Sequence, residues 1–337
     1  MKVTSSMMLV LGLGMAALPA VADDVTDFYK DRTVTITSAG GAGGGYGVYA
    51  LMLSKHIGRH IPGTPNVIVT YMPGAGGVKA ANYAANVAPK DGTMILAPLS
   101  SLATLQVLGK KGIRYDAAKF GWIGRATEAT SGFLVKPDAA RSLMDLKSRN
   151  QPTVVGVTGP GAPNHIMAAL VSYCTGIKIK LVSGYNGSSG VANAYMKNEV
   201  EAIAIPLSSL RLVHTQLLKD TLLAQSGFER SPFFPNVPLL FDLCPDPAKQ
   251  KIVEVFQTQE VMGRSYAAVP GSPQSRVAAL RAAFDSTVKD QVFLAAARER
   301  NMVVSPKSGP EMQKLVEAHV ATETALINKA KAVVGLK

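Results

Sequence analysis

Between Arg32 and Lys90 the chain carries no acidic residue, and that stretch holds two glycine-rich loops. The first is Ser38-Ala39-Gly40-Gly41-Ala42-Gly43-Gly44-Gly45-Tyr46-Gly47 and the second is Met72-Pro73-Gly74-Ala75-Gly76-Gly77. Each follows a short β-branched run, Thr33 to Ser38 and Val67 to Tyr71, and each opens into a segment with helical spacing. Strand, glycine loop and helix in that order constrain the chain to a parallel sheet with helices on its faces. Glycine lets the backbone approach a ligand closely, and a helix that starts there points its free N–H groups and its positive dipole end at the guest. With no carboxylate nearby to repel it, the guest this arrangement favours is a small anion.

The pattern continues along the chain. Tyr46 to Arg59 and Val78 to Val87 read as helices, Pro89-Lys90-Asp91-Gly92 as a turn, and Thr93 to Ala97 as a third strand running into Pro98 and Ser100-Ser101. A second unit follows: strands Thr153 to Val157, Lys178 to Val182 and Val200 to Ile205, ending in the loops Thr158 to His165, Gly184 to Gly190 and Pro206 to Ser209. Ligands in open α/β sheets sit beyond the carboxyl ends of the strands, so two such units place a ligand cleft between two lobes. The tail reads as helical. Ser272-Pro273 starts one helix as a cap with an N1 proline, and Ser308-x-x-Glu311 opens one long amphipathic helix that packs on one lobe.

The 337 residues suffice for two domains, and 47% hydrophobic with 17% charged residues is a globular composition. Lys2, the apolar stretch Met7 to Leu18 and the small-x-small triplet Ala20-Val21-Ala22 form a secretory signal over residues 1–22, cleaved after Ala22, which implies an exported protein. The net charge of +12 comes from scattered single cations without a basic run or interleaved aromatics, so nucleic acid is not an expected partner. Cys174 and Cys244 face an oxidising compartment; a disulfide and two separately buried thiols are both compatible with the sequence.

Several chemistries fail their sequence tests. Gly45-x-Gly47-x-x-Ala50 fits a loose dinucleotide fingerprint, but the acid that should hold a ribose about 20 positions on is missing before Asp91. No Lys-Ser or Lys-Thr follows the glycines, and there is no G-x-S-x-G, H-E-x-x-H or C-x-x-C. No catalytic residue, cofactor or metal is expected. His56 and His60 have metal-ligand spacing on a helix, yet Lys55 and Arg59 beside them point to a solvated face. His165, at a loop–helix junction, either hydrogen-bonds an anion or caps local backbone. For the second glycine loop, a Pro-Gly turn explains the residues as well as ligand contact does.

Taken in order, Gly43-Gly44-Gly45-Tyr46, Met72-Pro73-Gly74-Ala75-Gly76-Gly77, Ala88-Pro89-Lys90-Asp91-Gly92-Thr93, Thr158-Gly159-Pro160-Gly161 with Asn164 and His165, Gly184-Tyr185-x-Gly187-Ser188 and Pro235-x-Val237-Pro238 resemble the solute-binding receptors of tripartite tricarboxylate transporters, also called Bug-type receptors. The resemblance covers essentially the whole mature chain. It implies an α/β, two-lobed periplasmic binding protein fold (type II-like), built from lobe I (23–124 and 252–337) and lobe II (125–251). It also implies a monomer that closes on a di- or tricarboxylate, acidic amino acid or aromatic acid and docks the transporter's membrane subunits. By position it assigns Gly43, Gly44, Gly45, Tyr46 and Ser100 to one wall of the site, and Thr158, Gly159, Asn164, His165, Tyr185 and Pro206 to the other. Relatives often carry Asp and Arg where this chain has Gly47 and Leu51, which points to a swapped pair. The expected function is carboxylate capture for a transporter. An exported receptor feeding a sensor is the alternative, and an exported enzyme lacks a legible nucleophile–base pair.

Overall fold

The computed structural model describes residues 20–335. The charged start and apolar stretch of the expected export signal lie outside them. Among the described residues, eleven strands form two sheets. The first contains β1 (Thr33–Ser38), β2 (Asn66–Tyr71), β3 (Met94–Ala97), β4 (Gly121–Arg125), β10 (Ser265–Ala268) and β11 (Lys307–Ser308) in the order β11-β4-β10-β3-β1-β2. The second contains β5 (Ser131–Val135), β6 (Thr153–Val157), β7 (Ile179–Ser183), β8 (Ala202–Pro206) and β9 (Thr221–Gln225) in the order β7-β6-β8-β5-β9. Two α/β lobes result, as the repeated strand–loop–helix order requires.

The sheets are mixed rather than purely parallel. In the first, Ile36 of β1 sits between Val69 and Ile95 of its parallel neighbours, whereas β10 runs antiparallel to both β3 and β4. In the second, β6 is parallel to β7 and β8, and β5 is antiparallel to β8 and β9. Antiparallel neighbours appear where the chain passes between the lobes, from Arg125 to Ser131 and back from Gln225 to Ser265. A strand that arrives from the other lobe needs no crossover helix on its own sheet.

The tail divides where one helix was expected. Gly309–Val320 packs Met312 and Val316 with Trp122 in the first lobe. The chain then turns at Ala321, where Thr322 Oγ1 donates to the His319 carbonyl at 2.6 Å. Thr324–Val334 buries Ile327, Ala330 and Val334 in the second lobe's core with Val155, Ile166 and Phe256. The helix Pro247–Met262 is shared in the same way, with Ile252, Val253 and Phe256 in the second core and Met262 in the first. Ser272 is not the expected cap: Pro273 holds the N-cap position of Gln274–Thr287, and the Ser272 hydroxyl makes no hydrogen bond.

Of the two readings open for the cysteines, the structure takes the bridge. Cys174 and Cys244, 70 residues apart in sequence, form a disulfide with Cα atoms 4.6 Å apart. It ties the end of the helix Pro163–Thr175 to the segment before Pro247. Closing a loop of that length in the unfolded chain stabilises the second lobe by about 4 kcal/mol on the chain-entropy account.

Candidate ligand cleft

A cavity of about 390 Å³ lies between the lobes, lined by residues that directly follow five strand ends: Ala39 to Gly41 after β1, Pro73 to Gly77 after β2, Thr158 after β6, Gly184 to Ser188 after β7, and Pro206 at the end of β8. This is the place where an open α/β sheet puts its ligand. No charged residue is among the lining residues, and Leu99, Pro73, Pro163, Pro206, Tyr46 and Tyr185 give it apolar and aromatic walls.

Helix starts converge on the cavity. Gly45–Ile57, Val78–Asn86, Pro163–Thr175 and Gly187–Met196 have Gly44, Gly77, Ala162 and Asn186 at their N-caps, and none has a side-chain cap or an acidic residue in its first turn. Away from the cavity the helix starts are mixed: Ser142, Asp246 and Asp290 cap theirs with side-chain oxygens, while Gln274–Thr287 and Thr324–Val334 have no side-chain cap. At the cavity the lack of caps matters because a side-chain cap would occupy the donors a ligand needs. The first intrahelical bonds are those from Val48 N–H to Gly44, Ile166 N–H to Ala162 and Gly190 N–H to Asn186. The N–H groups of Tyr46 and Gly47 from one lobe, and of Asn164, His165, Ser188 and Ser189 from the other, therefore precede their helical ladders and carry the positive dipole ends.

Of the residues assigned to the site from sequence, Gly44, Tyr46, Thr158, Asn164, Tyr185 and Pro206 line the cavity. Asn164 is oriented by its amide oxygen, which accepts from Thr158 N–H and, at 3.0 Å, from Thr158 Oγ1, leaving its NH₂ as the free donor. Tyr46 is fixed from two sides. Its hydroxyl donates to Ser100 Oγ at 2.9 Å and accepts from Ser100 N–H at 3.0 Å, while the Arg264 guanidinium lies over its ring at 3.8 Å.

Gly43, Gly45, Ser100, Gly159 and His165 do not line the cavity. Ser100 is fully buried and acts as the socket for Tyr46. Gly43 C=O accepts from Ser189 Oγ at 2.6 Å and Gly45 N–H donates to Ser209 Oγ at 3.1 Å, so both glycines join the lobes. His165 is buried, and its Nδ1 accepts from Gly161 N–H at 3.3 Å. Burial, with a contribution from the Lys110 charge, pushes its pKa down to about 4. Of the two roles open for this histidine, the geometry is that of a neutral ring capping local backbone.

For the second glycine loop a turn and ligand contact were equally open, and the structure places it at the cavity, which Pro73, Gly74, Ala75, Gly76 and Gly77 all line. Asn186, Gly187 and Ser188 line it too and were not assigned from the sequence, although their loop sits at a strand end and before a helix like the others.

The glycine at position 47 has a local explanation. A Cβ there would lie 2.4 Å from Gly41 O and 2.8 Å from Ala42 Cα, so the first loop folds back over this position and no aspartate fits. Leu51, in the place of the usual arginine, is 44% exposed. Behind the cleft, where the chain passes between lobes, Arg264 is buried and donates from Nη2 to Ser208 Oγ at 2.9 Å. Burial raises the nearby Glu260 carboxyl to about 8, against smaller opposing effects of Ser226, Gln259 and Arg264, so at neutral pH it adds little negative charge behind the site.

His56 and His60 lie on the far side of the first lobe. His56 is not solvated as expected: it packs edge-on against Phe293 at 5.5 Å, and Nδ1 meets Arg59 Nη2 at 2.9 Å. His60 pairs with Asp290 at 2.8 Å.

Comparison with known proteins places this architecture. The family described as tripartite tricarboxylate transporter family receptor matches residues 52–332. No curated protein matches. Among solved structures, the periplasmic binding protein BugD superposes with a TM-score of 0.73 at 19% identity, covering 92% of this chain and 99% of its own. The R. palustris protein Rpa4515 with adipate gives 0.72 at 21% identity, covering 90% and 98%. MatC of Rhodopseudomonas palustris with bound malate gives 0.71 at 18% identity, covering 90% and 99%.

Proposed function

Because the chain belongs to the receptor family of tripartite tricarboxylate transporters, we propose that it captures a small organic carboxylate between its lobes and delivers it to the membrane subunits of such a transporter. Proteins of this family are periplasmic ligand-binding receptors and not enzymes. The observation that carries the ligand class is the convergence of uncapped helix N-termini from both lobes on a cavity whose lining holds no charged side chain. Fixed amide dipoles stabilise a carboxylate without the desolvation cost of burying a lysine or arginine beside it.

Donors stand on opposite walls with apolar residues between them. That suits an acid with a carboxylate at each end of a short aliphatic segment, the kind of compound that adipate and malate represent in the two R. palustris proteins. In this reading the ligand set is Gly44, Tyr46, Thr158, Asn164, Tyr185 and Pro206, with Gly43, Gly45, Ser100, Gly159 and His165 shaping the walls. Residues 1–22 direct export and are removed after Ala22, and the receptor works as a monomer with lobe I built from 23–124 and 252–337 and lobe II from 125–251. The helix Thr324–Val334 then belongs to lobe I in sequence while strapping lobe II in space.

A thermal-shift series with mono-, di- and tricarboxylates tests the proposal. A dicarboxylate at a hundred times its Kd adds about 2.7 kcal/mol to the native state and raises the melting temperature accordingly. No shift with any acid, together with a shift produced by sugars or cations, overturns it.

A further inference from the structure

Lys110 follows the helix Leu102–Val107 and is anchored by its own N–H, which donates to Leu105 C=O at 3.0 Å. Its ammonium sits between loops of different lobes. Nζ donates to Ala75 C=O at 3.0 Å, in the second glycine loop of the first lobe, and to Pro160 C=O, in the loop between β6 and the helix Pro163–Thr175 of the second. Among the described residues no carboxylate forms an ion pair with it. A half-buried ammonium without a counter-ion is costly to keep, and burial lowers its pKa accordingly. Such a group is retained where its hydrogen bonds do something that a surface lysine would not.

The space around it is tight on the side of the second glycine loop. A Cβ on Gly76 would lie 3.3 Å from Nζ and 3.1 Å from Pro160 O, whereas one on Gly161 would meet Leu105 Cδ2 at 2.4 Å before it reached Nζ. A side chain at Gly76 would crowd both the ammonium and the Pro160 carbonyl. Both carbonyls belong to loops at the cleft mouth, and they can share one ammonium only while the lobes are closed.

We propose that Lys110 is a clasp for the closed receptor, a positioning residue that joins the Ala75 and Pro160 carbonyls across the cleft and sets how long a bound ligand is retained. This rests on the reading of the cleft as the ligand site. The clasp acts behind the second glycine loop and contributes to retention without touching the guest. Two charge-assisted hydrogen bonds lost together correspond to at least a tenfold change in the closed–open equilibrium, roughly, and hence in dissociation.

The test uses Lys110→Met, which keeps the aliphatic stem and removes the charge and the donors. Spin labels on cysteines at two exposed positions, Val292→Cys on the first lobe and Met144→Cys on the second, report the distance between the lobes. The expected result is a shift toward longer distances in Lys110→Met, and adipate dissociating about tenfold faster in stopped flow with association within twofold of the parent. Unchanged distances and unchanged dissociation overturn the clasp. If adipate binds neither protein, dissociation is read with the acid that gives the largest thermal shift; a response to no acid fails the ligand reading on its own, and the distances with and without Lys110 still decide for or against the clasp.

Discussion

In the first glycine loop, Gly40 to Gly47, no residue has a positive φ, and every glycine except Gly41 stands where other atoms come close. Cβ atoms on Gly44, Gly45 and Gly47 would lie 2.7 Å from Ser188 Oγ, 2.6 Å from Ser209 Oγ and 2.4 Å from Gly41 O. In the second, Gly74, Ala75, Gly76 and Gly77 carry φ of 139°, 51°, 69° and 92°, a run of left-handed backbone whose Cβ positions are crowded less severely. The same residue type thus answers two different demands on one wall of one cleft. The first loop needs glycine for space, so that the second lobe can close down on it. The second needs glycine for conformation, so that it can curl its backbone into the cavity.

The largest effect that would break this distinction is expected at Gly47. Gly47→Ala meets backbone atoms that no rotamer change can move, so it costs about 3 kcal/mol of stability or more in urea unfolding. A loss below about 1 kcal/mol would mean that the loop yields freely and that space is not the reason for the glycine. Gly44→Ala sharpens the comparison from the ligand side, because its clash is with a hydroxyl of the other lobe. It is expected to weaken carboxylate binding about tenfold by calorimetry while the ligand-free melting temperature changes little. Ser188→Ala in the same chain removes the hydroxyl that clashes, and most of the affinity returns. Failure of that rescue would place the fault in the loop and not in closure.

The smallest effects belong to the second loop and have opposite signs. Gly77→Ala costs about 1–2 kcal/mol through its left-handed backbone, and Ala75→Gly gains up to about 1 kcal/mol by relieving the same strain. Both are read from thermal unfolding. A destabilising Ala75→Gly would show that the alanine methyl packs in a way that outweighs its φ.

The strands β1, β2, β6 and β7 were legible because each announces itself twice, as an apolar or β-branched run and as the start of a glycine-containing loop before a helix, and β3 and β8 because each is an apolar run that ends at a proline and a serine pair. β4, β5, β9, β10 and β11 were not. Gly121-Trp122-Ile123-Gly124-Arg125 and Ser131-Gly132-Phe133-Leu134-Val135 are almost wholly buried and show no alternation, and glycines inside such short runs weaken a strand pattern. Those glycines are packing sites: a Cβ on Gly124 would lie 2.2 Å from Phe284, and one on Gly132 would lie 2.5 Å from Leu222. The site was legible to a similar degree. Tyr46, Thr158 with Asn164, Tyr185 and Pro206 line the cavity as the family resemblance implied. The bridging roles of Gly43 and Gly45, the Tyr46 socket at Ser100 and the capping role of His165 depend on neighbours 146, 164 or 54 residues away, or on which way one ring turns.

The sequence by itself determined the parallel strands β1 to β3 and β6 to β8 with the loops and helices that follow them, the absence of acids around the first two loops, and the family, because these are properties of local spacing and composition that survive without coordinates. Only the tertiary structure decided which glycines make room for the other lobe and which bend the backbone. It also decided that Cys174 meets Cys244, that the last helix crosses to the second core, and that Lys110 reaches both lips of the cleft. Each of these depends on two segments far apart in the chain coming within a few ångströms of each other, and local pattern carries no information about that distance.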